Sequence, residues 1–345
     1  MRSFPLGLTM VSDSGFFRRK LVLVLCFLSI SFGAKGQSHT HIQESFHMGS
    51  PFAITVVHED KTKAWDAIKA AGEEIKRIEN LISSWKESSQ TSAINRAAGK
   101  SAVPVDEELF QLISRAQKVS QLSGGAFDIS YASLDRIWKF DGSMKGIPTE
   151  EAIKQSVARI DYDKVILNQE KQSVFLQEEG MKIGFGAIGK GYAANRAKKV
   201  LQEMGISSGM VNAGGDLIAW GTEEDGSPWK IAVADPSKEK KVLAWLEVQD
   251  KAVVTSGDYE RFVILEGKRY AHIIDPRSGW PVQGLKSVSI ICPDAEIADA
   301  LATTVFVLGK EKGLELVEKL RGIECIIITD ENEIVTSSHL NLSHE

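Results

Sequence analysis

Cysteine is scarce: three residues in a chain of 345 are too few for a disulfide framework, and no Cys/His spacing suits zinc. Cys26 falls in an N-terminal segment read below as removable, which leaves Cys292 and Cys325, each in an apolar run. They read either as two small buried hydrophobes or as a pair, and neither implies a metal site. An excess of one charge is also lacking, with 41 Lys and Arg against 46 Asp and Glu. No basic run or stripe is present to track a nucleic-acid backbone. That argues against a long polyanionic partner and leaves room for a small anion held by a few local cations. No G-x-S-x-G elbow, no solenoid period and no Pro-, Gly- or Ser-rich linker within residues 44–337 is found. One domain is therefore expected, and a hydrophobic fraction of 43% suffices for a sizeable core.

At the N-terminus, Arg18, Arg19 and Lys20 precede an apolar run over 21–32, followed by Gly33, Ala34 and Gly36. This is the layout of a secretory signal, and the run is short for a membrane span. Residues 1–36 are thus expected to be a signal peptide, 37–43 a polar spacer, 44–337 the domain and 338–345 a tail. Export to the periplasmic side of the inner membrane follows, as a soluble or loosely membrane-associated protein.

Strand composition marks 51–59, and the spacing of Trp65, Ile68, Ile75, Ile78 and Leu81 or Ile82 predicts a helix over 61–82. A polar loop over 83–100 leads to a second helix over 106–122, stopped at Ser123-Gly124-Gly125. A hairpin follows over 164–167 and 173–176, then a glycine-rich turn over 184–191 and a helix over 192–204. Short strands come next over 229–234, 242–248, 252–255, 262–265, 270–274 and 286–292. Helices over 296–308 and 312–320 and a strand over 324–329 close the chain. Grouped helices and hairpins point to α+β, not to a parallel doubly wound sheet.

Three segments carry chemistry. Gly184-Phe185-Gly186-Ala187-Ile188-Gly189 matches G-x-G-x-x-G, but a charged stretch precedes it instead of the first strand of a βαβ unit. Read as part of a P-loop, it lacks the Ser or Thr after Lys190, where Gly191 stands. What remains is a close-approach turn feeding a helix N-terminus, with one cation, which suits an anion or is simply a tight turn. Asp299 and Thr303, four apart on an apolar helix, share a face. They suit a hard cation such as Mg2+, or Asp299 is satisfied by backbone donors alone. Ser256, Asp258, Arg261, His272, Asp275 and Arg277 crowd two turns, with His272 either a proton carrier or a structural histidine.

In order along the chain, several pieces resemble the ApbE-type family of FAD:protein FMN transferases over roughly 44–337. They are His47-Met48-Gly49-Ser50, Ile82-Ser83-Ser84-Trp85, Ser123-Gly124-Gly125-Ala126-Phe127-Asp128 and Gly186-Ala187-Ile188-Gly189-Lys190-Gly191-Tyr192-Ala193. Val211-Asn212-Ala213-Gly214-Gly215-Asp216, Thr255-Ser256-Gly257, His272-Ile273-Ile274-Asp275-Pro276 and Asp299-Ala300-Leu301-Ala302-Thr303 complete the series. The resemblance implies an α+β, T-fold-like architecture, with antiparallel sheets and packed helices around a flavin cleft. It implies FAD contacts at Met48, Trp85, Ala126, Phe127, Asp128, Gly184, Lys190 and Ile274. It also implies Mg2+ ligands in the Ala187 carbonyl, Asp299 and Thr303, with His272 or Asp258 as general base. The implied reaction is attack by a threonine hydroxyl of an acceptor protein on the FMN phosphorus of FAD, releasing AMP. The acceptor would be an exported or membrane-associated redox protein. Two departures stand out: family members often carry Asp at the position of Gly184, and commonly Gly and Ala at those of Ala187 and Gly189. The alternatives are a Mg2+-dependent FAD pyrophosphatase, a non-catalytic periplasmic flavin-binding protein and a structural or interaction domain.

Overall fold

The computed structural model describes residues 37–134, 137–236 and 242–340. The expected signal segment, with Cys26, lies outside the described residues, as do residues 341–345. Eight strands form one antiparallel sheet: β1 (His39–His47), β2 (Ser50–His58), β6 (Gly209–Ala213), β7 (Asp216–Trp220), β10 (Lys251–Gly257), β13 (Leu285–Cys292), β14 (Glu324–Thr329) and β15 (Ile334–Thr336), adjacent in that order. The helices α1 (Lys61–Ile82), α5 (Gly189–Glu203) and α6 (Ala295–Glu318) pack on one face of it.

Period-2 alternation divides the strand residues between two cores. Val56, Ile218, Ile290 and Ile327 enter the helix-side core. Their neighbours Val57, Leu217, Ile291 and Ile326 face the hairpin of β8 (Trp229–Ala234) and β9 (Val242–Val248) on the other side. A third cluster, around Trp138, Ile153, Val263 and Tyr270, underlies the hairpin of β11 (Phe262–Leu265) and β12 (Lys268–Ala271).

Helix α1 has the expected bounds, capped by the Asp60 side chain, which accepts from Lys63 N–H at 3.1 Å. Trp65 departs from the expected apolar stripe: it is 39% exposed and packs edge-on against His41. Helix α3 (Glu107–Ser123) ends on Gly124 and Gly125, both left-handed, with Gly125 N–H donating to the Ser120 carbonyl at 2.9 Å. The hairpin β4 (Val165–Asn168) and β5 (Ser173–Leu176) joins β3 (Val103–Pro104) in a small sheet. Helix α6 is two helices joined at Gly309, whose φ of 80° and ψ of 175° break it between the two expected segments.

Several elements differ from the sequence expectation. Strand β1 begins at His39, inside the stretch read as a spacer, and pairs with β2 along its whole length. As an edge strand it buries little, so backbone pairing holds it without a side-chain signature. The stretch read as a polar loop holds a short helix, α2 (Gln90–Arg96), capped by Ser89. Strands β6, β7 and β15 and helix α4 (Glu150–Val157) were not anticipated; β7 is buried at all five residues and so shows no alternation. Cys292 and Cys325 are free and buried. The β13–β14 register sets Cys325 opposite Ile290, not Cys292, and burial pushes both thiols up to about 11.

Candidate active site

The glycine-rich turn brings α5 against α6. Gly184 N–H donates to the Ile129 carbonyl at 2.9 Å, and a Cβ at Gly186 would meet the Tyr131 hydroxyl at 2.5 Å. Helix α5 has no side-chain cap of its own. Asp299, 4% exposed on α6, serves instead: its Oδ2 accepts from Gly191 N–H at 3.0 Å, and Lys190 N–H also bonds it. With Gly191 N–H turned to Asp299, the Ala187 carbonyl four residues earlier lacks the donor a continuing helix would give it. A carboxylate at a helix N-terminus meets the positive end of the dipole. Burial, and then the like charge of Asp216, still push the Asp299 carboxyl up to about 7.

Asp216 comes from the other side. The β6–β7 turn, Gly214 and Gly215 with φ of 66° and 102°, sets Asp216 opposite Ala213 at the head of β7, 1% exposed. Its Oδ2 lies 2.5 Å from Lys190 Nζ, and the two opposite charges attract one another in this buried setting. Burial raises Asp216 to about 6 against the pull of Lys190. Burial alone would lower Lys190, but the carboxylates of Asp216 and Asp299 outweigh it and hold the ammonium above the ordinary lysine range. Glu260 is an exposed residue, yet enough protein crowds its carboxylate to push it up, against the attraction of Lys190.

Thr303, one turn beyond Asp299, has its Oγ1 3.4 Å from Ser256 Oγ on β10. His272 follows β12; its Nδ1 lies 3.2 Å from the Arg261 carbonyl, which can only accept. Nδ1 therefore carries the proton of the neutral ring and Nε2 keeps the basic lone pair. Burial lowers His272 to about 4, with the charges of Arg261 and Lys190 adding to the effect.

Asp299 and His272 thus both lie in the electrostatic neighbourhood of Lys190, with Ala187 in the turn and Thr303 on the same helix as Asp299. Asp258 does not join them: burial raises its carboxyl, and it faces Arg269, 3.4 Å away, together with Asp330 and Lys286. Asp128 is 6% exposed and caps the 3-10 turn over Ile129–Leu134; its Oδ1 accepts from Ser130 N–H and Oγ, each at 2.7 Å. Ala126 and Phe127 lie in the helix-side core at 1% and 2% exposure, and their N–H groups donate to the Ser123 carbonyl and Oγ. Met48 turns the β1–β2 hairpin at φ 50° against the same core. Trp85 stands 72% exposed, next to Ser84, whose Oγ lies 3.8 Å from the place of a Cβ at Gly184. Ile274, half-buried, bridges to Pro281 beside the third cluster. Asp216 and Glu260 had drawn no role from the sequence; a Gly-Gly turn between two apolar runs was the available signal for the first.

The sequence model of the ApbE family matches residues 48–327. The chain belongs to the ApbE family. A FAD:protein FMN transferase of Klebsiella pneumoniae is 34% identical over 293 residues, covering 84% of this chain and 90% of that protein. One of Treponema pallidum is 31% identical, covering 92% of each. The crystal structure of the ApbE protein of Thermotoga maritima superposes with a TM-score of 0.81 at 33% identity, covering 87% of this chain and 97% of the other. The apo flavinyl transferase ApbE of Pseudomonas stutzeri gives 0.78 at 27%, covering 88% and 96%. Antiparallel sheets with packed helices are therefore the fold of this ApbE protein and of its relatives alike.

Proposed function

We propose that this ApbE protein transfers FMN from FAD to a threonine hydroxyl of an acceptor protein, releases AMP, and does so with Mg2+. The observation that carries the reading is the buried Asp299 carboxylate at the N-terminus of α5, with the Lys190 ammonium beside it and His272 in the field of that ammonium. Among the described residues no three His, Cys, Asp or Glu converge on a metal position, which excludes a dense carboxylate or zinc-type cage. The donors at hand are instead few and hard: one carboxylate, the Thr303 hydroxyl and the Ala187 carbonyl left without its helical partner. That set fits Mg2+, which keeps positions for phosphate oxygens and water. When bound, the ion supplies charge stabilisation to the oxygens of the pyrophosphate.

The side chains account for the rest. Lys190 adds a fixed positive charge beside the helix N-terminus, where phosphate oxygens are favoured. Exposed Trp85 offers a ring face for stacking. His272 Nε2, neutral at ordinary pH, takes the proton of the incoming threonine hydroxyl as that oxygen bonds to the FMN phosphorus. The bond from phosphorus to the bridging oxygen breaks, and AMP leaves with that oxygen. The basic, apolar and small-residue order of residues 18–36 supports an exported enzyme and hence an exported or membrane-associated acceptor.

The test measures AMP formed from FAD with a candidate acceptor, with its Thr→Ala form and with none, alongside mass spectrometry of the acceptor. AMP and an FMN-sized addition only with the intact threonine are expected. Equal AMP in all three would replace the reading with that of a pyrophosphatase.

A further inference from the structure

Lys190 feels three carboxylates, Asp216, Asp299 and Glu260. Among the described residues, the ion pair it forms is with Asp216, at 2.5 Å. Asp299 faces the same ammonium electrostatically, and its Oδ2 is already taken by Gly191 N–H. A lysine ammonium is a point charge on a flexible stem, and a half-buried cation favours a partner. If Asp216 carried no charge, two partners would remain for it. Glu260 belongs to an exposed turn, whereas Asp299 is 4% exposed and fixed at the helix end. The ammonium would then settle on Asp299, in the place of a divalent cation.

We infer that Asp216 is a positioning residue that holds the Lys190 ammonium off Asp299, so that the Asp299 carboxylate stays open to the metal ion. The inference rests on the Mg2+ site proposed above. Its structural basis is the Gly214-Gly215 turn, which carries Asp216 from the far side of the site into contact with Lys190. The pair also gives Lys190 a resting place from which a phosphate oxygen can draw it when substrate arrives.

The test is Mn2+ binding to the full chain without FAD, followed by titration calorimetry, with circular dichroism of each variant. Asp216→Asn keeps the shape and removes the charge; it should weaken Mn2+ by about tenfold or more, the factor set by ~1.4 kcal/mol of competition. Lys190→Met removes the competitor and should bind Mn2+ at least as tightly as the parent. The double variant Asp216→Asn with Lys190→Met should match Lys190→Met alone. A double variant as weak as Asp216→Asn would overturn the inference, because Asp216 would then act as a ligand or through the fold. Unchanged binding in Asp216→Asn would overturn it too. Should Asp216→Asn fail to fold, Lys190→Met decides: weaker binding than the parent would overturn the inference, and equal or tighter binding would support it. A parent protein that binds no Mn2+ would sink the metal site itself and this inference with it, whereas a binding parent with an unaffected Asp216→Asn sinks the inference alone.

Discussion

The N–H of Gly191 meets Oδ2 of Asp299 at 3.0 Å because residue 191 has no side chain. A Cβ there would lie 2.0 Å from the Ala295 carbonyl oxygen and 2.9 Å from the Asp299 Cβ. The closeness of α5 to α6, and with it the place of the carboxylate, depends on one missing methyl group. The second helix supplies the cap that the first lacks, so the element that organises the site is also what joins its two halves.

Gly191→Ala should therefore destabilise the protein by at least about 2 kcal/mol and abolish Mn2+ binding, since the clash is with backbone that cannot turn aside. Gly72→Ala is the control. Gly72 lies inside α1 with nothing within 4 Å of its would-be Cβ, so alanine should stabilise by about 0.5–1 kcal/mol. Urea unfolding of the two variants separates close approach from mere glycine content.

Arg115 and Glu296 hold the start of α6 from the other side, with Nε–Oε1 at 2.6 Å and a second bond at 3.0 Å. Glu296 is 5% exposed and stands one turn before Asp299, and the Arg115 guanidinium also lies 5.6 Å from the centre of the Tyr192 ring. Arg115→Met leaves that carboxylate buried and unpaired. We expect a loss of about 2–3 kcal/mol, below the figure for a wholly buried pair because Arg115 reaches solvent. Adding Glu296→Gln should recover part of it, and a double-mutant cycle in urea measures the coupling.

His272 sets a pH dependence. Its value falls from the ordinary 6.5 to about 4, chiefly through burial. As pH drops below about 6.5 the unfolded chain takes up a proton that the folded protein refuses, so stability is lost between about 6.5 and about 4. His272→Asn should flatten stability across that window. It should also lower kcat by about 10²–10⁴, the usual share of a general base. In the parent, the acid limb of kcat due to this residue should lie near 4, not near 6.5. A limb at 6.5 would show a solvated histidine with a different task.

Much of this architecture was legible in the chain. Helix α1 and the strands β8, β9 and β11 fall where the sequence marked them, because each alternates or repeats cleanly and ends at a turn; β14, buried at five of its six residues, does not alternate and is marked by its apolar run instead. Strand β7 escaped because all five of its residues are buried, and β1 because it is an edge strand with little burial. In the site, Asp299 and Thr303 were legible because helical spacing alone puts them on one face. Asp216 was not, since its contact with Lys190 exists only once the β6–β7 hairpin is folded across the start of α5. Asp128 shows the converse: a polar residue in a recognisable motif whose Oδ1 is occupied in capping a turn.

Asp299 separates the structural from the chemical use of one carboxylate. Asn at this position keeps an oxygen for Gly191 N–H, so the cap on α5 survives, while the charge that a cation needs is gone. Transfer and Mn2+ binding should both disappear in Asp299→Asn with the fold intact; Asp299→Ala loses the cap as well and should cost about 1 kcal/mol more. Stability gives a second readout with opposite sign. Burial raises this carboxyl from 3.8 to about 7, so the metal-free folded protein keeps a proton that the unfolded chain gives up. Its contribution is complete below about 3.8 and is lost as pH rises through about 7. Without metal, the melting temperature of Asp299→Asn relative to the parent should accordingly rise from acid to about pH 8, because the variant has no buried charge to form. With saturating Mn2+ the order should reverse: the ion binds only the folded parent and stabilises it, and a chelator should restore the metal-free order. If the variant instead loses stability at every pH and Mn2+ leaves the parent unmoved, the carboxylate is a helix cap and nothing more.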